Sequence, residues 1–369
     1  MEGFSRRTQR IRISGIRRVF EAAGEDAINL GLGQPDFDTP EHVREAAVEA
    51  LRDGRGADYT SNVGIGPLRE EVARYVGFDA SPKNVLVTSG ASEGLHVAVQ
   101  ALADPGDEVI IPDPGFVSYD ALTKVADAEP VPVELGDDLR LEPESVKEAV
   151  TDETSAFVVN SPANPTGAVQ TEEDMRAFAE IADDYGTTLI SDEVYDRFVY
   201  EGEHVSPARF GDNVVTVNGA SKTLSATGWR LGYVVAPEEA VDEMVKVHQY
   251  IQACANAAAQ HGVAETLNDE RTDDAVERMR EEFEARRDLV LEGFDAMGLD
   301  CPTPRGAFYA LPQVPEGFVD ECLERGVVTV PGGAFGAAGE GHARISYANS
   351  RENLREALDI MEEVVEELA

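Results

Sequence analysis

One lysine of the sequence lies in a setting that suits nucleophilic chemistry. Lys222 stands among small and apolar residues in the stretch NGASKT (residues 218–223), directly after an apolar run at residues 214–217. Burial or a neighbouring cation lowers the pKa of a lysine amine, and the free amine then attacks carbonyl carbons to form a Schiff base. The chain has four other lysines, which are predicted to be surface residues: Lys83, Lys124, Lys147 and Lys246.

An aspartate and a tyrosine follow another apolar run. The run TTLIS (residues 187–191) predicts a buried strand, and it leads into Asp192 and, three residues later, Tyr195. A carboxylate at the end of a buried strand needs a partner that offsets the loss of its hydration. A protonated pyridine nitrogen is one such partner, and a salt bridge or exposure to solvent is the alternative.

A rigid turn follows a third apolar run. The run TSAFVVN (residues 154–160) continues into NSPANPTG (residues 160–167), in which two prolines and a glycine restrict the backbone. Such a turn is a good mount for a side-chain amide that must keep one orientation, here Asn164. An ordinary loop is the alternative interpretation.

Two further turns suit an anion and a planar ring. After the apolar run at residues 84–88, the small residues Ala91 and Ser92 open a helix, where free N–H groups and the helix dipole stabilise a phosphate. A plain strand–helix turn capped by serine is the alternative there. Phe116 follows the run at residues 108–112 and is placed to stack on a ring, although many such residues simply belong to the core.

The spacing of these residues brings them together. Asn164, Asp192 and Lys222 are about thirty residues apart, which is the length of one strand–helix–strand unit of a parallel sheet. Ligands of open α/β sheets bind at the carboxyl ends of the strands. A phosphate cradle, a stacking ring, an amide, a buried carboxylate, a tyrosine and a Schiff-base lysine at that edge predict a pyridoxal phosphate site.

The elements that position these residues alternate between strand and helix. This alternation predicts a mostly parallel sheet with helices on both faces. Helices are expected at residues 91–103 and 172–185. Strands are expected at residues 84–88, 108–112, 154–160, 187–191 and 214–217.

The C-terminal third has a different pattern. A long charged helix with an apolar stripe is predicted over residues 273–297. Short strands are then expected at residues 307–311, 327–330 and 343–346, before a closing helix that begins at Arg351. We therefore expect a large domain at residues 38–272 and a smaller α+β domain made of residues 1–37 and 273–369.

The charge of the chain excludes some partners. Its 369 residues include 71 acidic and 31 basic side chains, a net charge of −40, with the acids spread along the whole sequence. Such a field repels nucleic acids and anionic membranes. Abundant acid and scarce lysine suggest a halophilic protein, adapted to a salty cytoplasm. Residues 1–20 lack the apolar core of a secretory signal, and no stretch is apolar enough to span a bilayer, so we expect a cytoplasmic location.

Cysteine and histidine usage gives no support for a metal site. The three cysteines, Cys254, Cys301 and Cys322, are far apart and form no Cys-x-x-Cys pair, and the six histidines include no His-x-x-x-His pair. We therefore expect neither a disulfide framework nor a bound metal.

Long ordered motifs give the chain a clear resemblance. It resembles the class I aminotransferases of pyridoxal phosphate fold type I, and within them the archaeal aromatic and bacterial aspartate aminotransferases. The motifs that carry the resemblance are GLGQPDFDTP (31–40), YTSNVGIGPLRE (59–70), PGFVSY (114–119), NSPANPTG (160–167), SDEVY (191–195), SKTLSATGWRLGY (221–233), GAFY (306–309) and RISYA (344–348). The resemblance implies the α/β fold of that type: a large domain with a mostly parallel sheet flanked by helices, plus a smaller α+β domain.

The resemblance also implies roles for the residues at the cofactor ring. Lys222 is expected to hold pyridoxal phosphate as a Schiff base and later to move a proton between the substrate α-carbon and C4′ of the cofactor. Asp192 is expected to keep the pyridine nitrogen protonated, which makes the ring an electron sink. Tyr195 and Asn164 are expected to bind the 3′-oxygen, and Phe116 is expected to stack on the ring.

Further implied roles concern the phosphate and the substrate. The phosphate ligands are expected to be Ala91, Ser92, Ser221 and Arg230, together with Tyr59 of a neighbouring subunit in a homodimer with shared active sites. Arg344 is expected to grip the substrate α-carboxylate as a two-pronged fork, with the backbone of Gly33 beside it. The stretch ISGI at residues 13–16 and the small domain are expected to close over the substrate.

One departure bears on the substrate. Ser92 stands where some aspartate-specific relatives have a lysine, which weakens the case for strict specificity towards acidic substrates. Arg17 and Arg18 are the candidates for binding a second carboxylate, although arginines in an acidic protein are more often surface ion pairs. The expected reaction moves the amino group of an L-amino acid (aromatic, aspartate or a broad range) to 2-oxoglutarate by a ping-pong mechanism.

Three alternatives were weighed against this one. A C–S β-lyase would use the same cofactor and fold. A nicotinamide-dependent dehydrogenase would need Gly-x-Gly-x-x-Gly, which neither Gly31-Leu32-Gly33 nor Gly64-Ile65-Gly66 completes. A non-catalytic regulator of this fold would need an added DNA-binding domain, and the length and charge of the chain argue against one.

Overall fold

The centre of the protein is a seven-stranded β-sheet, seen in a computed structural model that describes residues 3–11, 13, 15, 24 and 27–368. In chain order, the first described elements are α1 (Arg6–Arg10), β1 (Ile28–Asn29), α2 (Glu41–Arg52), α3 (Gly66–Tyr75), β2 (Val85–Thr88), α4 (Ala91–Leu102), β3 (Glu108–Asp113), α5 (Ser118–Val125), β4 (Glu129–Glu134), α6 (Pro143–Ala149), β5 (Thr154–Asn160), α7 (Glu172–Tyr185), β6 (Thr188–Asp192), β7 (Val214–Gly219), α8 (Ala220–Thr223) and β8 (Gly232–Val235). They continue with α9 (Glu238–Ile251), α10 (Ala257–Ala264), α11 (Glu270–Met297), β9 (Tyr309–Ala310), α12 (Phe318–Glu324), β10 (Val327–Val328), β11 (Val330–Pro331), β12 (Ala343–Ser346) and α13 (Arg351–Leu368).

The strand order of the large sheet is β2-β8-β7-β6-β5-β3-β4. β8 runs antiparallel to both of its neighbours, and the remaining pairs are parallel. The carboxyl ends of β3, β5, β6 and β7 therefore meet along one edge, which is where α/β sheets bind ligands.

Helices cover both faces of this sheet because its central strands are apolar on both sides. In β5, Ala156 and Val158 face the core that contains α4 and α9, whereas Phe157 and Val159 face the core formed with α6 and α7. Successive side chains of a strand point to opposite faces, so an unbroken apolar run requires cover on each face.

The C-terminal part forms a separate core around two small sheets. β1 pairs in parallel with β10, and β12 lies between β11 and β9 in a three-stranded sheet. The long helix α11 packs against α13 through an apolar stripe that includes Phe283 and Phe294. Asp269 begins α11 by accepting the N–H of Arg271, and Gly298 ends it in a left-handed conformation.

The sequence predictions for the large sheet agree closely with the structure. Each predicted strand is present with its ends displaced by two residues or fewer, and α7 has the predicted bounds. The run at residues 327–330 is not one strand but two, because its pairing partner changes at Thr329. The residues before Thr329 pair with β1, and those after it pair with β12. The pattern also missed β4, whose two prolines fit its place at the edge of the sheet.

Candidate active site

A cavity of about 360 Å³ opens at the carboxyl ends of β5, β6 and β7. This volume is in the range of about 300–1,000 Å³ that is usual for small-molecule sites. Every described residue to which a cofactor or substrate contact was assigned from the sequence lines it except Tyr59, which is 89% exposed elsewhere on the surface. The lining residues are Leu32, Gly33, Gln34, Ala91, Ser92, Leu95, Phe116, Asn160, Asn164, Asp192, Val194, Tyr195, Ser221, Lys222, Thr227, Arg230, Tyr309 and Arg344.

Lys222 lies in the short helix α8, which follows β7. Burial lowers the pKa of its amine from the ordinary 10.5 to about 8. The positive charges of Arg344 and Arg230 also lower this pKa, whereas the negative charge of Asp192 raises it. A change of this size raises the fraction of free amine at neutral pH by roughly 300-fold. Its Nζ donates a hydrogen bond to the carbonyl of Gly33. The structure therefore gives Lys222 the environment of a nucleophilic amine.

Asp192 is the last residue of β6, and its two carboxylate oxygens have different surroundings. Oδ2 accepts a hydrogen bond from the hydroxyl of Tyr119 at 2.8 Å, whereas the buried Oδ1 has no partner among the described residues. Burial raises the pKa of Asp192 to about 6, although the Tyr119 hydrogen bond lowers it. A buried carboxylate oxygen without a partner in a cavity is suited to accept an N–H from a ligand.

A chain of hydrogen bonds links the amide turn to Arg344. Asn160 Nδ2 donates to the carbonyl of Asp192 at 2.9 Å, and its Oδ1 accepts the N–H of Asn164 at 2.7 Å. Asn164 Oδ1 in turn accepts Arg344 Nη1 at 3.0 Å. The rigid turn predicted from the prolines thus holds the Asn164 amide between β6 and the guanidinium.

Arg344 lies in β12, fully buried, and its guanidinium contacts two aromatic rings. The ring centroids of Tyr309 and Phe335 are each 4.7 Å from Cζ of Arg344. Nη2 donates to the carbonyl of Gly31, and Nε has no partner among the described residues. A buried arginine with a free N–H at a cavity is suited to bind a carboxylate.

The turn before α4 forms the opposite end of the cavity. Gly90 begins the helix with φ of 79°, and a Cβ there would lie 2.5 Å from Nη2 of Arg230. Ala91, Ser92, Ser221, Thr227 and Arg230 all line this end. Free N–H groups at a helix start, with hydroxyls and a guanidinium beside them, suit a phosphate.

A buried carboxylate fixes this turn from behind. Glu93, in the first turn of α4, accepts the N–H of Ser89 and, through its other oxygen, binds Nδ1 of the buried His248 at 2.8 Å. Glu93 therefore connects the turn both to the start of α4 and to α9.

Sequence analysis left several residues of the site without a role. Tyr119 and Tyr309 lie within the motifs PGFVSY and GAFY, so the signal was present, but no pattern shows that Tyr119 reaches Asp192 or that Tyr309 hydroxyl lies 2.8 Å from that of Tyr195. Thr227 and Leu32 line the cavity and were also missed as single residues. Arg17 and Arg18, and Ser14 and Ile16 of the stretch at 13–16, lie outside the described residues.

Comparison with known proteins decides the family. The family model described as aminotransferase class I and II matches residues 25–361. The chain belongs to the class I and II aminotransferases. It is a pyridoxal-phosphate-dependent transaminase of fold type I, and the enzymes of this family act on amino acids and oxo acids.

Individual aminotransferases match almost end to end. The aspartate aminotransferase of Pyrococcus horikoshii is 42% identical over 96% of this chain and 95% of its own length. The aromatic-amino-acid aminotransferase 2 of Thermococcus litoralis is 41% identical, with 98% of each chain covered. The solved structure of the Thermus thermophilus aspartate aminotransferase with maleate superposes with a TM-score of 0.94 at 40% identity, covering 99% of this chain and 100% of that one. These relatives do not favour the C–S lyase alternative.

The residues of the cavity fit the cofactor of the aminotransferase family. Oδ1 of Asp192, which has no hydrogen-bond partner among the described residues, would accept the N–H of a protonated pyridine ring. The start of α4 offers backbone N–H groups for a phosphate, and the amine of Lys222 lines the same cavity. Within the part of the chain that the structure describes, no helix is both long and apolar enough to cross a bilayer.

Proposed function

We propose that this aminotransferase moves the amino group of an L-amino acid, aromatic or aspartate, to 2-oxoglutarate in two half-reactions at one site. The observation that carries the proposal is the joint placement of the Lys222 amine, the open oxygen of Asp192 and the buried guanidinium of Arg344 around one cavity. A single set of residues able to bind both substrates in turn is what a ping-pong mechanism requires.

At the ring, we assign the chemistry to Asp192 and Lys222. When bound, pyridoxal phosphate supplies an electron sink for negative charge at the substrate α-carbon. Asp192 Oδ1 would hold a proton at the ring nitrogen, while Tyr119 keeps the carboxylate in that orientation from the other side. Lys222 would hold the cofactor covalently, and as a free amine its Nζ would take the proton from the substrate α-carbon.

The other cofactor contacts are positioning contacts. Phe116 would stack on the ring, and Tyr195 and Asn164 would bind its phenolic oxygen. The proposed phosphate ligands are Ala91, Ser92, Ser221 and Arg230.

At the substrate end, Arg344 would bind the α-carboxylate, with Gly33 beside it. Its Nε has no partner in the part of the chain that the structure describes, and two rings restrict its plane, so the guanidinium is already oriented before a ligand arrives. Fixing a group in its bound geometry reduces the entropy lost on binding.

The side-chain end of the cavity bears on the preferred donor. The cations that line the described part of the cavity are Lys222, Arg230 and Arg344, and each has a role above. Leu32 lines the same cavity with an exposed apolar side chain. This favours aromatic over acidic side chains, unless Arg17 or Arg18, which lie outside the described residues, supplies a further positive charge.

We propose a homodimer with shared active sites. Tyr59 and Tyr250 are 89% and 87% exposed, although both are large aromatic residues. Their segments meet, because Asn62 Nδ2 donates to the carbonyl of Ala253 at 2.5 Å and Arg55 pairs with Glu265 at 2.9 Å. Burial of this surface by a second copy would bring Tyr59 to the phosphate of the partner's cofactor.

Two further proposals concern domains and environment. We propose that residues 38–272 form the large domain, and that residues 1–37 and 273–369 form the small one, which agrees with the pairing of β1 with β10. The net charge of −40 supports a cytoplasmic enzyme adapted to high salt, because dissolved ions screen repulsion between exposed acids. The unfolding midpoint should then rise with KCl concentration.

The deciding experiment uses the visible spectrum of the protein loaded with pyridoxal phosphate in high salt. Single amino acids are added without any oxo acid. Conversion of the bound cofactor to its pyridoxamine form by aromatic amino acids or aspartate, and its reversal by 2-oxoglutarate, is expected. A spectrum unchanged by every amino acid, together with pyruvate release from cystathionine, would refute transamination in favour of the lyase reaction.

A further inference from the structure

A buried carboxylate joins the sheet edge to a loop of the C-terminal part. Asp113 ends β3, and its Oδ2 and Oδ1 accept the N–H groups of Ala337 and Ala338 at 3.2 and 3.1 Å. Beside it, the N–H of Gly115 donates to the carbonyl of Phe335 at 2.8 Å. Three hydrogen bonds thus tie the end of β3 to residues 335–338.

The contact is closely fitted. A Cβ on Gly336 would lie 1.9 Å from Oδ1 of Asp113, and its φ of 142° is one that other residues rarely adopt. Burial raises the pKa of the Asp113 carboxyl, and the N–H groups of Ala338 and Ala337 oppose that rise. The carboxylate has therefore exchanged water for these two donors, and its hydrogen bonds are of the stronger, charge-assisted kind.

The two segments joined by this contact both adjoin the cavity. Phe116, three residues after Asp113, lines the cavity. On the loop side, the ring of Phe335 contacts the guanidinium of Arg344, as does the ring of Tyr309. Movement of the loop would remove one of the two rings that fix the plane of Arg344.

We propose that Asp113 is a positioning residue that orients Arg344 towards the substrate carboxylate, acting through residues 335–338 and the ring of Phe335. The inference rests on the role proposed for Arg344 in binding that carboxylate. The side chain of Asp113 bonds to the loop and to none of the proposed phosphate ligands, while the backbone of β3 that leads to Phe116 is held by its pairing with β4 and β5. Its replacement should therefore change substrate binding and leave cofactor binding intact.

The test replaces Asp113 by a residue of the same shape. In Asp113→Asn one acceptor oxygen becomes an NH₂ group that faces a backbone N–H. We expect KM for the amino acid and for the oxo acid to rise about tenfold, because a charge-assisted hydrogen bond is lost and a donor is left unpaired. We expect kcat to stay within about twofold and the dissociation constant of pyridoxal phosphate to stay unchanged.

Glu134→Gln is the matched control. Glu134 is the register partner of Asp113 on β4, it is exposed, and its change removes the same charge. We expect Glu134→Gln to leave KM for the amino acid and for the oxo acid unchanged. The inference is overturned if Asp113→Asn also keeps its KM, or if KM, cofactor affinity and the unfolding midpoint all worsen together, since a purely structural role predicts that result.

Two further variants separate this inference from the proposed function. The effects of Asp113→Asn and Phe335→Leu on KM should be less than additive in the double variant, because both act along one path, and strict additivity would contradict that path. If Arg344→Leu raises KM while Asp113→Asn does not, only the positioning role fails. If Arg344→Leu leaves KM unchanged, the proposed role of Arg344 itself fails.

Discussion

The part of the cavity proposed to bind the cofactor (the cofactor half: Asn164, Asp192 and Lys222) and the part proposed to bind the substrate carboxylate (the carboxylate half: Gly33 and Arg344) are supported in different ways. The first three residues follow β5, β6 and β7, neighbouring parallel strands of one sheet. In the second half, Arg344 comes from a three-stranded sheet, its ring partners Tyr309 and Phe335 come from β9 and a loop, and Gly33 comes from the segment after β1. Sheet hydrogen bonds fix the cofactor half, whereas the carboxylate half depends on contacts between separate segments.

This difference predicts which kinetic constant each half controls. A change in the cofactor half should abolish chemistry or cofactor retention. A change in the carboxylate half should mainly alter substrate binding, because its proposed contact is with the substrate carboxylate and not with the cofactor.

The largest expected effect is that of Lys222→Ala. Loss of the amine removes both the covalent link to the cofactor and the proton acceptor, so kcat should fall by about four orders of magnitude. Stopped-flow absorbance of the half-reaction measures this. The exposed Lys246 gives a control, since Lys246→Ala should keep full activity. Retention of normal turnover by Lys222→Ala would show that the cofactor half has been assigned wrongly.

The next effect is that of Arg344→Leu, which tests the carboxylate half. We expect KM for the amino acid to rise about a hundredfold, because a charged, two-pronged contact is lost. Steady-state kinetics and the cofactor dissociation constant, measured side by side, should show that cofactor affinity is nearly unchanged. Equal losses in both quantities would mean that the two halves are not separable as described. Arg344→Lys should rescue only in part, because an ammonium group cannot form the fork.

A smaller effect is the influence of the Arg344 charge, in the carboxylate half, on the pKa of Lys222, in the cofactor half. Lys222 reacts as the free amine, so incorporation of pyridoxal phosphate into the apoenzyme should speed up with pH and level off above about pH 8, the lowered pKa of Lys222. Arg344 contributes to that lowering, so Arg344→Leu should move the curve to higher pH. Rapid-mixing absorbance measures this rate over about pH 6–11, a range that includes both the ordinary and the lowered pKa of a lysine amine. A shift to lower pH would contradict the assigned electrostatics.

The smallest effect concerns the turn behind the phosphate. Glu93→Ala should weaken pyridoxal phosphate binding about tenfold, because the N–H of Ser89 and the ring of His248 lose their partner. Equilibrium dialysis measures the constant. Glu93→Gln keeps an acceptor for Ser89 and should recover most of the affinity. If both variants bind the cofactor normally, Glu93 has no part in holding the turn.

Sequence reasoning was most successful for the cofactor half. The apolar runs at β5, β6 and β7 are long and unbroken, and each reactive residue follows its run directly, so strand prediction alone brings Asn164, Asp192 and Lys222 to one edge. It was less successful where a contact crosses between distant segments. The strand expected at residues 327–330 divides between two sheets, and Tyr119 reaches Asp192 from 73 residues away.

The sequence by itself determined most of the large sheet, the place of Lys222 at the end of one of its strands and the family, because periodic burial and ordered motifs are local properties of a chain. Only the tertiary structure decided that Oδ2 of Asp192 is hydrogen-bonded while Oδ1 has no partner among residues 3–11, 13, 15, 24 and 27–368, that two rings contact Arg344, and that Asp113 ties the loop at 335–338 to the sheet. These features arise when residues far apart in sequence are brought within hydrogen-bond distance. Side-chain hydrogen bonds and ring contacts leave no period in the sequence, so they become visible only once the segments are folded together.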